Sequence, residues 1–222
     1  MAYNNGESKN IIVGAAALFT FDGSLSGQPG EASTPFEDLS FEAATSYKDT
    51  LQDAADSVGS DWNNVGYTSN GIELEFQPSF GEVKVDQVLD VARLFKDGMQ
   101  VSLKTSFAEA TLENLLVSVA AQSDDLSALA TGTGIGAGSQ VFEINSGELG
   151  SVPLERGLVA VGPGTGDPDI SKERIYIGYR ALSIQNVVAS AKRDAASMFD
   201  VTFRMLPNGT GMYGKIVDRR IA

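Results

Sequence analysis

The stretch Gly71-Ile72-Glu73-Leu74-Glu75-Phe76-Gln77 alternates apolar and polar residues without a break. Side chains on a β-strand point to opposite faces in turn, so Ile72, Leu74 and Phe76 share one face and Glu73, Glu75 and Gln77 the other. That is the pattern of an antiparallel strand with one face in a core and one in water. Working outward, Pro78–Gly81 predicts a turn. Glu82–Val88 predicts a returning strand with Val83 and Val85 opposite Lys84 and Asp86. Residues 88–96 fit both periods: Val88, Val91, Ala92 and Phe95 match a helix, whereas Val91, Arg93 and Phe95 match a strand. Gly98 then predicts a turn into a strand over Met99–Phe107.

Two helices are expected. Thr34-Pro35-Phe36-Glu37 has the form of a capping box with proline in the first turn. Over 41–58, Ala44, Tyr47, Leu51, Ala54 and Val58 recur three or four residues apart, with Asp49, Asp53 and Asp56 on another face and Gly59 at the end. Ser106-Phe107-Ala108-Glu109 reads as a second capping box, opening a helix over 107–121 with Leu112, Leu115, Leu116 and Val119 as its apolar stripe. Further strands are predicted at 11–21, 140–145, 157–161, 174–183, 198–206 and 212–217, with a loop over 162–168. Many short strands and two helices predict a single domain over 1–222, a mainly antiparallel β-sandwich or open barrel flanked by a helix. Residues 1–10 read as a flexible arm, 22–61 as a loop and helical insertion, and 131–139 as a Gly-rich loop.

Composition narrows the chemistry. The 222 residues include no Cys and no His. A Ser-His-Asp or Cys-His pair therefore cannot form, and neither can a zinc site built on those ligands. Acids outnumber bases 29 to 16, a formal charge of −13, which opposes any grip on nucleic acid. The charge is uneven: −8 over 1–70, −6 over 71–130 and +1 over 131–222. An acidic part joined to a near-neutral part suits directional self-association, where an evenly solvated surface would not. The opening residues lack the form of a signal peptide, and no apolar run is long enough to span a bilayer, so an unexported protein with no membrane partner is expected.

Several motifs tempt and fail. The glycines at 132, 134, 136 and 138 lack the GxGxxG spacing of a nucleotide loop, and no GK[ST] occurs. Asp124-Asp125 and Asp167-Pro168-Asp169 lack EF-hand spacing, so no metal site is expected. Glu73 and Glu75 lie about 7 Å apart along a strand, a spacing a glycosidase pair could use. Such pairs come from different strands with aromatic platforms beside them, and Trp62 is the sole Trp. Asn208-Gly209-Thr210 reads as a turn despite its sequon form. Neither a catalytic residue nor a cofactor is assigned, and no enzyme is expected.

The order and spacing of several segments carry more. They are Trp62-x-x-Val65-Gly66-Tyr67-Thr68-x-x-Gly71, Val83-x-Val85-Asp86-Gln87, Gly98-x-x-x-x-Leu103 and Glu109-Ala110-Thr111-Leu112-Glu113-Asn114-Leu115, preceded by Asn10-Ile11-Ile12-Val13-Gly14. Together they resemble the major tail tube proteins of long-tailed bacteriophages over 10–23 and 62–121. The helical segment within 34–59 departs from that pattern. The resemblance implies a β-sandwich with a flanking helix and hexameric rings stacked into a hollow tube. It also implies a tape-measure protein inside, tail terminator and distal tail proteins as neighbours, and DNA passing through without specific binding. The location implied is the virion, after synthesis in the bacterial cytoplasm. It tips 88–96 toward extended structure. Glu73, Glu75 and Asp86, on polar faces in the most similar region, are expected to face the lumen, where acidic side chains repel phosphate. The inner tube of a contractile tail or of a secretion apparatus has the same architecture and is the alternative; a carbohydrate-active β-sandwich is the more distant one.

Overall fold

The computed structural model describes residues 12, 14–23, 46–57, 60–84, 86, 90–121, 125–128, 138–144, 153–164, 172–190, 193 and 196–221. In chain order the elements are β1 (Ala17–Phe21), α1 (Tyr47–Ala55), β2 (Trp62–Asn64), β3 (Thr68–Lys84), β4 (Val91–Phe107), α2 (Leu112–Ser118), β5 (Leu126–Ala128), β6 (Gln140–Phe142), β7 (Arg156–Pro163), β8 (Lys172–Ser183), β9 (Phe199–Leu206) and β10 (Gly214–Arg220). The protein is mainly β, and every strand pairing is antiparallel. The main sheet runs β2-β1-β7-β8-β9-β4-β3, while β5 and β6 form a separate pair.

β8 is the pivot. Its Lys172–Gly178 half pairs with β10, and its Arg180–Ser183 end pairs with β9 on the same edge. The sheet curls there, so β1 and β7 come to face β4 and β9. Leu18, Leu158 and Ala160 then share one core with Val101, Leu103, Phe107, Val201 and Phe203. The other face of β1, β7 and β8 carries Phe19, Val159, Val161, Ile175, Ile177 and Tyr179, and α1 covers it with Tyr47 and Leu51. This part of the sheet is buried on both faces, which is why β7 reads as a continuous apolar run rather than an alternation.

The described part of the 41–58 helix behaves as its spacing predicts. Tyr47 and Leu51 are buried, and Asp49, Asp53 and Asp56 are exposed. Its start at Thr34–Glu37, the glycine at 59, the arm over 1–10 and most of the Gly-rich 131–139 segment lie outside the described residues. The insertion at 22–61 has a structural place nonetheless: its helix closes the second core.

Three expectations are corrected. Pro78–Gly81 and Gly98 are not turns. β3 continues through Pro78, opposite Met99, and Ser79 pairs with Gly98. Proline is tolerated because β3 is the last strand of the path and its outer edge lacks a neighbour needing that N–H. Register shifts beside Ser79 and Val83 absorb the irregularity. The expected loop over 162–168 starts later, since Gly162 and Pro163 belong to β7. Finally, α2 starts at Leu112, not 107. Phe107 is fully buried at the end of β4, and the cap is Thr111, whose side chain accepts from the Asn114 amide at 3.2 Å. Its buried face is Asn114, Leu116, Val117 and Ser118, while Val119 is exposed.

Candidate assembly interface

β3 and β4 are 17 residues each, twice the length of most of their neighbours. β9 supports β4 only over Val101–Phe107. The ribbon made by Gln77–Lys84 and Val91–Gln100 therefore projects past the body with both edges open among the described residues. Residues 91–96 are extended, as the resemblance implied. A two-stranded ribbon has too little packing to be stable alone in water. This one also exposes Phe76, Phe80, Val83, Leu94 and Phe95, at 41–60% of their surface. Open strand edges together with clustered apolar side chains are the features that soluble monomers avoid.

At the root of the ribbon lies an apolar groove of about 280 Å³. Leu74, Phe76 and Met99 line it on one side, and Tyr176, Met212 and Ile216 on the other. It exists because β10 stays with β8 while β9 leaves to join β4, so the two layers part. Tyr213 bridges the gap, its hydroxyl donating to the Met99 carbonyl at 2.7 Å.

The outward face of β3, β4 and β9 is polar. By register Glu73 faces Lys104, Glu75 faces Ser102, and Ser102 and Lys104 face Arg204 and Thr202. The Lys104 ammonium sits 2.5 Å from the Glu75 carboxylate. Hydrogen bonds from Lys104 and Gln77 hold that carboxyl below its ordinary range, and the same pair holds the ammonium above its own. Glu73, Glu75 and Asp200 against Lys104 and Arg204 leave this face at 2 − 3 = −1. It is a mixed polar surface rather than a uniformly acidic one.

The structure brings Glu73 and Glu75 together and leaves Asp86 apart. Asp86 is not on a strand: it lies in the connection beyond Lys84, exposed. At a rise of ~3.3 Å per residue, the nine residues from Glu75 to Lys84 span about 30 Å, so Asp86 belongs to the far end of the ribbon. The residues missed in sequence reading are the apolar ones of the ribbon. Their signal was present in Phe76, Phe80, Leu94 and Phe95, all close to charged or turn-forming neighbours. Among the described residues no cluster of acidic side chains is arranged to hold a metal ion. Asp125 is in a short 3₁₀ turn, and Asp124 and 167–169 lie outside the described residues.

Buried ions elsewhere serve the fold. Arg156 is 2% exposed and donates to Asp22 at 2.7 Å and to the Ala121 carbonyl at 2.7 Å. Arg180 forms a two-pronged pair with Glu155 at 2.6 and 2.9 Å. No described helix is long and apolar enough to cross a membrane. No family model matches the chain, and no curated protein is similar enough in sequence to count as a relative.

Proposed function

We propose that this protein is a structural subunit that assembles with copies of itself into a hollow tube, in the manner of the major tail tube protein of a long-tailed phage. The observation that carries the reading is the projecting β3–β4 ribbon. It presents open edges and five exposed large apolar side chains that a lone copy leaves in water. A curled antiparallel sheet of the sandwich or open-barrel kind, flanked by a helix, is the architecture such a subunit needs.

Side-by-side closure of copies turns the polar face of β9, β4 and β3 toward a common axis and the twice-covered β1-β7-β8 layer outward. Glu73 and Glu75 then face the channel. Paired with Lys104 and close to Arg204, they give a lining with little net charge and many hydrogen-bonding groups. Phosphate finds no cluster of unpaired cations to hold it there, so DNA slides. Hexameric rings, a tape-measure protein in the lumen and a place in the virion follow from the same reading. Self-repulsion of copies at −13 each is overcome by apolar burial at the ribbon and by strand pairing between copies.

Electron microscopy of concentrated protein, with sedimentation velocity across a concentration series, tests this. Rings or hollow tubes are expected. A species that stays monomeric at the highest concentration, with no rings or tubes on the grid, overturns the reading.

A further inference from the structure

We infer that the groove beside Tyr213 is the receptor for the ribbon tip of a second copy, so that each contact joins two different surfaces. The inference rests on the self-assembly reading and adds the partner site to it. The groove is apolar, with Phe76, Met212 and Ile216 about half exposed at its mouth. It has room for large side chains, and it lies where the two layers part. The complementary object is on the same chain: Leu94 and Phe95, 60% and 48% exposed near the end of the ribbon.

A copy cannot fill its own groove. Leu94 lies five residues beyond Met99 along a paired strand, about 17 Å away at ~3.4 Å per residue, and the ribbon points away from the body. Folding back would break the β3–β4 ladder. Phe95 is moreover held over Gly81, where an added Cβ would come within 2.4 Å of its ring. The side chain is thus presented in a fixed orientation rather than free to turn inward. The charges match as well. Residues 82–90 carry Glu82, Asp86 and Asp90 against Lys84, a net of 1 − 3 = −2. β10 beside the groove carries Lys215, Arg219 and Arg220 against Asp218, a net of 3 − 1 = +2. Opposite signs on the two surfaces favour tip-to-groove contact over tip-to-tip contact, where like charges meet.

A contact between unlike surfaces leaves each bound copy with one free tip and one free groove. It propagates, closing into a ring or continuing along an axis according to the rotation between copies, and it does not stop at a dimer.

The absence of cysteine gives a direct test. Leu94→Cys and Met212→Cys are both at exposed positions, so neither disturbs the core. Wild-type, single and double variants are concentrated under assembling conditions and treated with a short bismaleimide linker, and grids are prepared from the same samples. The expected result is that the double variant forms a ladder of covalent multimers, that an equal mixture of the singles gives dimers only, and that each single variant alone stays uncoupled. Ile216→Cys in place of Met212→Cys should reproduce the ladder. Dimers from Leu94→Cys alone would mean tip-to-tip pairing and overturn the inference. Rings or tubes without any ladder would overturn it while leaving self-assembly standing. Neither assemblies nor coupling would overturn both.

Discussion

The Glu173 carboxylate of β8 accepts the backbone amide of Tyr47 at 2.9 Å, tying the first turn of α1 to a strand 126 residues further along the chain. The Ser46 hydroxyl donates to the same carboxylate, and the buried Arg219 guanidinium lies 3.7 Å from it. A negative charge at a helix N-terminus satisfies open N–H groups and favours the helix dipole. Here it comes from another element, so it also docks the helix. Glu173→Ala should destabilise the fold by about 3–5 kcal/mol, the usual cost of removing one partner from a buried ionic group. Glu173→Gln should cost less, because it can still accept the Tyr47 amide. Chemical denaturation measures both. Limited proteolysis should show earlier cutting within 46–57 in the alanine variant.

The buried stripe of α2 predicts a graded pair. Leu116 is 4% exposed, whereas Leu115 is only partly buried against the same core. Leu116→Asp places an unpaired carboxylate in the apolar interior and should leave little folded protein. Leu115→Asp, with a route to water, should give soluble protein with a lowered melting temperature. Equal behaviour of the two, read by solubility and thermal melting, would mean that the helix packs differently.

What could be read from sequence divides by range of interaction. Ile72, Leu74 and Phe76 show their face by alternation, and Tyr47 and Leu51 by helical spacing, because those signals are local. Pro78 and Gly98 were misread since both are turn-formers by local preference. Their acceptance into long strands depends on the free outer edge of β3 and on pairing with each other's neighbours, which are tertiary facts. The true cap of α2 was obscured for a similar reason: Ser106 resembles a cap, but β4 keeps its backbone in the sheet and its hydroxyl donates to Asp200. Arg156 and Asp22 are 134 positions apart, and nothing near either one marks it as buried. The assembly surface was half legible. Its apolar residues stand in the sequence, but only the ending of β9 opposite Val101 reveals that they overhang.

Two carboxyls should titrate on opposite sides of the ordinary range. Burial raises the Asp22 pKa, and the attraction of Arg156 only partly offsets this. Its folded state therefore holds the proton more tightly than the unfolded one, so its ionisation opposes folding as pH rises from the ordinary carboxyl range through the folded value. A hydrogen bond from Arg174 lowers the Asp218 pKa. Its contribution is present above the unfolded value and is lost as pH falls through the folded one. Carboxyl NMR titration should place Asp22 above 3.8 and Asp218 below it. In Arg174→Gln, Asp218 should return toward the ordinary value with Asp22 unmoved. A shift of both together would point to a global change rather than a lost pair.

The last prediction concerns the polar face. Glu73→Lys with Glu75→Lys keeps the strand's alternation and changes each copy by four charge units. It also replaces the Glu75–Lys104 attraction with two ammonium groups side by side, in a row that already holds Arg204. Because both glutamates are on the water-facing side of β3, the protomer should fold with its melting temperature little changed, as surface substitutions usually leave it. The effect should appear on function. A channel lined by these residues would bind phosphate where it now slides, and attraction within a narrow wall is screened less than on an open surface. Tubes carrying the double variant should still form, retain added oligonucleotide at low salt and release it as salt rises, with a slope set by the number of phosphates neutralised. Virions built from it should eject DNA more slowly, with the delay relieved by salt. Lys104→Gln alone should do the opposite, removing a cation and leaving retention at the wild-type level or below. Normal ejection, or a density map with both side chains on the outer wall, would end the assignment of this face to the lumen. Loss of tubes with a folded protomer would instead place the face in a seam between copies.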